Sequence, residues 1–316
     1  MASTFINRLN HHQLNHRFSG FVYAATKKYS EDNTGYQAVL ITYYGFLALF
    51  PLLIVAVTFM QLLLRHHQAM KLRIISTISH YFPAMSSELQ NNIHSLHRTG
   101  LALLISLLIT IYGAGGVAGA WRYTLDNICF VPRLRRLGQP RAIFRNLYII
   151  MIGGGGLLLA ASLTTLATSL NHSLTFRLLA NGISVVLLFG VIAFLYQAGT
   201  KARLATKTVV ISALLATIGL QLLQVLGGYI MTHELRRLSL FYGTLSTVLG
   251  LLFWIYLQVL ILLLVFEAAI VRRLKLWPRS LDHQQPTPQD IRAYNLYEKR
   301  DQRWQQPNGS YRKIDR

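Results

Sequence analysis

Negative charge and cysteine are both scarce in this sequence. Asp and Glu contribute 11 of the 316 residues, and charged residues of both signs make up only 13% of the chain. Soluble domains are typically about one quarter charged, so the composition argues against a chain built from soluble domains. Cys129 is the single cysteine, which excludes an internal disulfide and gives no information on the redox compartment.

Familiar catalytic signatures are also absent from the sequence. It contains no HExxH, no GxSxG and no paired acidic motif of the two-metal nucleases. An intramembrane hydrolase needs a Ser/His, Ser/Lys or Asp pair at depth, and the long apolar runs hold no Asp, Lys or His in their cores. We therefore predict no catalytic residue, no metal site and no cofactor, and we expect that the protein is not an enzyme.

What the sequence has instead is six long apolar segments without charge. An apolar stretch of about 18 or more residues can cross the ~30 Å hydrocarbon core as a helix, and a helix satisfies its own backbone groups in lipid. We predict an all-α polytopic membrane protein whose transmembrane domain, residues 39–271, is a bundle of six helices. The predicted spans cover residues 39–64, 99–121, 146–170, 178–200, 208–232 and 241–266.

The distribution of basic residues predicts how this bundle is oriented. Of the 31 Lys and Arg residues, 24 fall on one side, and seven fall on the other. The basic side comprises the N-terminal tail (1–38), the loops 122–145 and 201–207, and a C-terminal tail (272–316) that we predict to be flexible. The positive-inside rule then predicts cytoplasmic termini and an outer loop at 65–98.

The net charge of +20 has two interpretations. A strongly basic protein can bind nucleic acid, but basic residues beside an anionic inner leaflet gain about 1 kcal/mol each from the lipid. We favour the second interpretation, so we expect anionic membrane lipids as partners and no nucleic acid. The candidates for attracting headgroups are four arginines of the inner loop, Arg133, Arg135, Arg136 and Arg141.

A polar face on the fifth predicted span is the strongest candidate for a site within the membrane. Thr217, Gln221 and Gln224 recur at helical spacing and lie within about 60° of one another. An unpaired amide in hydrocarbon costs several kcal/mol, so these glutamines need partners, and Gln197 and Gln258 of neighbouring spans could supply them. The face is either an interhelical packing seam or the lining of a polar cavity.

Other span residues are candidates for packing, bending or coupling. Gly115 and Gly119 form a GxxxG pair in the second span, which is typical of close helix contact. Pro51 should kink the first span, as a packing feature or a hinge. Glu267 is the only acidic residue in or near a span, and its position indicates the cytoplasmic boundary, close to Arg272 and Arg273. A deeper position would make it a candidate for proton coupling.

Several strings of residues, in this order and spacing, resemble a known family. They are Thr42-Tyr43-Tyr44, Ala48-Leu49-Phe50-Pro51, Asp126-Asn127, Ser212-Ala213-Leu214-Leu215-Ala216-Thr217, Phe241-Tyr242-Gly243-Thr244-Leu245, and Phe253-Trp254-Ile255-Tyr256-Leu257 leading to Glu267-Ala268. Together they resemble the YihY family of bacterial inner-membrane proteins, also called the BrkB family, over roughly Gly35 to Arg273. Gly243 in the fifth string is a further candidate for a hinge or packing position.

The resemblance implies six spans with cytoplasmic termini in the inner membrane, and a role in handling envelope lipid or lipopolysaccharide. Two positions depart from the family pattern, because Ile211-Ser212 stands where a Pro-Gly is usual and Val265-Phe266 where a Gly-Ala is usual. Shared roles for those helix ends are therefore not assumed. Some relatives carry a ribonuclease label, but this chain has no metal or acid–base cluster that would support it.

Three functions remain as hypotheses. The leading one is a transporter-like protein that moves or hands over an envelope lipid, with Gln221 and Gln224 contacting the polar head. The first alternative is a non-transporting scaffold that docks a periplasmic or envelope partner through the outer loop, 65–98. The second alternative is a solute or ion exporter, for which Glu267 is the only candidate coupling charge.

Overall fold

Helices form the regular structure of the protein. The computed structural model describes residues 17–63, 100–136, 138, 141–157, 159–160, 174–242, 244–281 and 286–302, and no strand occurs in these ranges. The helices are α1 (Arg17–Glu31), α2 (Thr34–Leu63), α3 (Gly100–Ile128), α4 (Arg141–Ile149), α5 (Leu174–Gly199), α6 (Thr206–Tyr242), α7 (Thr244–Leu274) and α8 (Pro288–Asp301). A 3-10 turn covers Arg133–Arg135, and a π-helical turn (Ile150–Gly154) continues α4. The predicted all-α class is confirmed over these residues.

Among the residues that the structure describes, three helices contain segments that are long and apolar enough to cross a membrane. These segments are Asn181–Gly199 in α5, Thr206–Gly227 in α6 and Val248–Leu274 in α7. Their outer faces are apolar as well, since Val186 is 67% exposed and Leu222 is 60% exposed. Large exposed apolar surfaces are unfavourable in water and mark contact with lipid or protein. The six-span count and the cytoplasmic termini remain predictions, and the outer loop 65–98 and Gly243 lie outside the described residues.

Several helix ends differ from the predicted boundaries. Helix α6 has 37 residues, a length of about 55 Å, so it runs through residues 233–240, which were predicted as a loop. Helix α3 continues to Ile128 and so extends into the predicted inner loop. Helix α1 and the start of α2 at Thr34 lie within the predicted N-terminal tail, and α2 runs on through Pro51.

Part of the C-terminal tail that is predicted to be flexible forms a capped helix, α8 (Pro288–Asp301). Thr287 caps α8, because its hydroxyl accepts a hydrogen bond from the Asp290 N–H (3.2 Å) and the Asp290 carboxylate accepts one from the Thr287 N–H (3.2 Å). Pro288 occupies the start of the helix, where its fixed φ is favourable. Ala293 of α8 is buried in one apolar cluster with Ala24 of α1. Helix α8 is therefore packed against α1.

Small residues bring α2 and α3 together, although they are not the predicted pair. A Cβ added to Gly113 would lie 2.9 Å from the Cβ of Ala48, and one added to Gly116 would lie 2.4 Å from a tyrosine ring on α2. Gly115 and Gly119 have no neighbour this close within the described ranges. The GxxxG pattern thus identified the right helix and the wrong face, since the contact follows an i, i+3 spacing.

An aromatic stack joins three helices near the end of the bundle that carries α1 and α8. The rings of Trp121, Tyr196 and Phe266 stack in order, with centroids 6.0 Å and 4.7 Å apart. The Tyr196 hydroxyl donates to the carbonyl oxygen of Leu262 (2.7 Å), and the Trp121 indole donates to that of Leu195 (3.1 Å). Both polar ring atoms are satisfied, so the stack fixes α3, α5 and α7 against one another.

Candidate functional site

An apolar groove of about 430 Å³ lies between α5 and α6. Leu214, Thr217 and Gln221 line it from α6, and Val186 and Phe189 line it from α5. The buried Thr217 hydroxyl donates to the carbonyl oxygen four residues before it (2.8 Å), so this polar group is satisfied within its own helix. Gln221 is half-buried, and the surface that the groove presents is apolar.

The other glutamines of the predicted polar face lie elsewhere. Gln224 and Gln197 are exposed and Gln258 is half-buried, and none of the three lines the groove. No hydrogen bond connects the four glutamines to one another across the residues that the structure describes. Of the predicted constellation, the groove therefore retains only Thr217 and Gln221.

A lysine is buried between two carboxylates where α1 meets α7. Lys28 Nζ lies 2.6 Å from Glu267 Oε2 and also contacts the Asp32 carboxylate. The hydroxyl of Thr34 donates to Glu267 Oε1 (2.7 Å), and Arg300 Nη1 lies 2.5 Å from Asp32 Oδ1. Burial acts to lower the pKa of Lys28, but the two carboxylates act to raise it and outweigh burial. Lys28 is therefore held in its charged form.

The sequence interpretation that placed Glu267 beside Arg272 and Arg273 is corrected by this geometry. Glu267 is fully buried and its partners are Lys28 and Thr34. Arg273 donates instead to a backbone carbonyl (2.7 Å), and Arg272 is exposed. The reason is helical spacing, because residues five and six positions after Glu267 leave the helix face that it occupies.

A second ion-pair cluster joins α1 to the chain that follows α7. Arg279 makes two bonds to the Glu31 carboxylate (2.6 and 2.8 Å) and one to Asp290 Oδ1 (2.8 Å). Lys27 Nζ lies 3.0 Å from the same Asp290 oxygen. Burial would raise the pKa of Asp290, but hydrogen bonds from Ser280, Thr287, Arg279 and Lys27 hold it well below its ordinary value.

The four arginines predicted to attract headgroups fall into two kinds. Arg135 and Arg141 are exposed, and their side chains make no hydrogen bond to any part of the described chain. Arg133 Nη2 lies 3.3 Å from Asp301 Oδ1 of α8, and Arg136 Nη2 donates to a side-chain amide on α3 (2.6 Å). The first two can reach solvent or a lipid surface, whereas the second two are held in place.

The sequence analysis missed the ion pairs of α1, although the sequence carried a signal for them. Lys28 and Asp32 are opposite charges four residues apart, a spacing typical of one helix, and they form an ion pair. Lys27 and Glu31 have the same spacing but pair with Asp290 and Arg279 instead. The pattern Thr287-Pro288-x-Asp290 is likewise a helix start. Neither pattern could identify Glu267 as the partner of Lys28, because that contact spans 239 residues.

These features define the class of protein as a helical integral membrane protein in which buried charges join α1 to α7 and to α8. The family model described as "Virulence factor BrkB" matches residues 25–289. That range covers most of the chain, so the protein belongs to the BrkB family, and the resemblance seen in its sequence strings is confirmed. No match was found among curated proteins, and none was found among solved structures.

Proposed function

We propose that the protein is a transporter-like inner-membrane protein that moves or hands over an anionic envelope lipid, a phospholipid or a lipopolysaccharide precursor. The observation that carries this proposal is the groove between α5 and α6. Its volume of about 430 Å³ is within the usual range for small-molecule pockets. Its apolar surface suits an acyl chain better than a headgroup. In this proposal Gln221 contacts the acyl chain of the lipid, and Gln224 does not contact the lipid.

The depth of the groove supports the same assignment. Gln221 lies about 22 Å along the helix axis from Thr206, the first residue of α6. A bilayer has a hydrocarbon core about 30 Å thick. The groove then opens at the depth of the acyl chains, and a headgroup would sit nearer the helix ends that carry the exposed Arg135 and Arg141, where basic side chains attract anionic lipid.

The experiment that tests this proposal is native mass spectrometry of protein gently extracted from its own membrane. In Val186→Trp the indole reduces the groove, so we expect less of the lipid that the parent retains. Val210→Trp is the control, because Val210 is also an exposed valine (43% exposed), on α6, but it does not line the groove. Selective lipid kept equally by both variants and the parent would contradict the assignment.

The glutamine pair gives a second, independent comparison. Gln221→Leu alters the groove wall, whereas Gln224→Leu makes the same substitution on the same helix outside the groove. We expect only the first to change the retained lipid or the rate of lipid transfer between vesicles. Identical behaviour of the two variants would return this face to a packing role.

A second candidate function, an ion-coupled exporter, is favoured by Glu267. Its carboxylate is fully buried within the apolar segment Val248–Leu274, and ionisable groups at such positions often carry coupling ions. Glu267→Gln should then abolish proton-driven solute flux in vesicles while the exposed Glu298→Gln leaves it unchanged. Loss of flux without loss of lipid retention would favour the exporter over lipid handling.

A further inference from the structure

Three arginines from two distant parts of the chain converge beside the end of α3. Arg133 Nη2 and Arg300 Nε both approach Asp301 Oδ1, at 3.3 and 3.4 Å. Arg136 Nη2 donates to Asn127 Oδ1 (2.6 Å), and Arg300 Nη1 lies 3.5 Å from the carbonyl oxygen of Asn127. The inner loop and α8 therefore bring three guanidinium groups around two shared residues.

The hydrogen-bonding capacity of this cluster is incompletely used. Arg133 Nε and Arg136 Nη1 are buried, and neither has a hydrogen-bond partner in the described ranges. Unsatisfied buried groups of this kind are rare in folded proteins. Two of them on neighbouring guanidinium groups point to an acceptor that can take several hydrogen bonds at once.

The charge of the cluster points to an anion. Within the described chain, no carboxylate lies within ion-pair distance of Arg136, whose guanidinium instead stacks over the Tyr123 ring at 5.0 Å. Burial lowers the pKa of Arg136, and the positive charges of Arg133 and Arg300 lower it further, against the opposing effect of Asp126. Arg133 pairs with Asp301 and Arg300 with Asp32, whereas Arg136 has no carboxylate partner in the described chain, so a bound negative group would stabilise its guanidinium.

Phosphate is the anion whose chemistry fits best. Its oxygens accept several hydrogen bonds, and planar guanidinium groups bind it in a two-pronged manner. Tyr123 and Leu134 border the cluster with large exposed faces, at 43% and 47% exposure, which is the mixture of aromatic, apolar and basic groups found at a membrane–water interface. A phosphate carried by a lipid would meet all of these groups together.

We infer that Arg133, Arg136 and Arg300 form a phosphate-binding site at the helix ends, which receives the phosphate of an anionic lipid headgroup. This assignment rests on the proposed lipid function for the source of the phosphate, and on the cluster itself for the chemistry. Of the four arginines predicted to attract headgroups, it assigns Arg133 and Arg136 to this site, whereas Arg135 and Arg141 add only general attraction.

The test is binding of the full-length protein to nanodiscs and to inorganic phosphate. Phosphatidylglycerol and phosphatidylcholine nanodiscs compare an anionic with a zwitterionic lipid, and native mass spectrometry counts the lipid that stays bound. We expect Arg136→Gln to reduce retained phosphatidylglycerol on the order of tenfold. Arg141→Gln removes the same charge from an exposed position of the same region and should change retention less than about twofold.

A second variant protects the result from a folding artefact. Arg136→Lys keeps the positive charge and loses the two-pronged geometry, so it should retain less lipid than the parent and more than Arg136→Gln, at an unchanged melting temperature. Equal retention by Arg136→Gln, Arg141→Gln and the parent would overturn the site. Equal losses in Arg136→Gln and Arg141→Gln would overturn it as well, because only total charge would then matter.

The arm with inorganic phosphate identifies the source of the phosphate. Phosphatidylglycerol binding that millimolar phosphate does not displace assigns the site to a lipid headgroup. Phosphate binding that is lost in Arg136→Gln, without any selective lipid, keeps the site but removes the lipid and with it the proposed function. Conversely, if Val186→Trp loses bound lipid and Arg136→Gln does not, the groove is supported as the lipid site and the phosphate site is refuted.

Discussion

The middle of the bundle and the end that carries α1 and α8 are held together by different forces. In the middle, Gly113 and Gly116 let helices approach closely, and apolar side chains such as Val186 face outward. At the end, Lys28 and Glu267 are fully buried as an ion pair. Lipid offers no hydrophobic drive for helices to associate, whereas charges near the bilayer surface can be paired across long stretches of sequence.

This difference predicts which mutations should change the free energy of unfolding most. Where helices pack closely, adding even one methyl group to a side chain lowers the free energy of unfolding. Where a buried ion pair holds the helices, removing either partner is destabilising, because the remaining charge is buried away from water and unpaired. Matched substitutions in the two regions can therefore separate shape from charge.

The largest effect is expected for Lys28→Met. It leaves the buried carboxylates of Asp32 and Glu267 without their shared partner, which costs about 3–5 kcal/mol in unfolding free energy. Unfolding in mixed detergent, followed by circular dichroism, measures the change. Lys299→Met is the control, because Lys299 is exposed. Similar destabilisation by both would show that the buried pair has no special importance.

A smaller effect, of about 1–3 kcal/mol, is expected from overpacking in the middle of the bundle. The Cβ of Gly116→Ala would lie 2.4 Å from the ring of Tyr44, so α2 and α3 must separate. Gly115→Ala, one residue away, meets no atom within 4 Å among the described residues. It should be neutral or stabilising, because alanine favours helix. The same unfolding measurement compares them, and equal values would refute the i, i+3 contact.

Acid should loosen the second ion-pair cluster at the charged end. The folded pKa of Asp290 lies below its ordinary value, so its stabilisation is complete above pH of about 3.9 and is lost as the pH falls below it. Each unit of the pKa difference contributes about 1.4 kcal/mol. Asp290→Asn should flatten this part of the stability–pH curve. Hydrogen exchange of α8 between about pH 2 and pH 5 measures it, and an unchanged slope in the variant would contradict the prediction.

The reaction rate of a buried thiol reports how closed the charged end is, without any change in stability. Burial raises the pKa of the Cys129 thiol to about 12, and alkylation proceeds through the thiolate. At pH 8 the folded protein should react roughly a thousandfold more slowly than the same thiol in denaturant. Lys28→Met should narrow that gap if α1 is displaced. Rapid labelling of the folded parent would show that this end is open.

Sequence patterns predicted the apolar helices of the middle better than the contacts at the charged end. Length and hydropathy are local properties, so α5, α6 and α7 could be predicted from their own residues. The face that α3 uses was missed, because Gly113, Gly115, Gly116 and Gly119 are all compatible with close packing. Only the position of α2 selects among them.

The site residues show the same limit. Gln221 and Gln224 share a helix face by spacing alone, yet the groove includes one and not the other because α5 covers only part of that face. Glu267 stood out as the only acidic residue of a span, but its distance from Lys28 along the chain hid the pairing. The composition of the basic C-terminal tail predicts flexibility, whereas the Thr287 cap and the ion pairs of Asp290 fix helix α8 within it.

The pairing of Lys28 with Glu267 also sets the order in which the protein can be assembled. The two residues are 239 positions apart, and a ribosome adds about 5–20 residues per second, so α1 waits on the order of 10–50 s for its partner. Until α7 has been synthesised, Lys28 and Asp32 cannot be buried against Glu267. In a chain truncated before α7, α1 lacks this ion pair. Docking of α1 through Lys28 therefore requires that synthesis of α7 is complete.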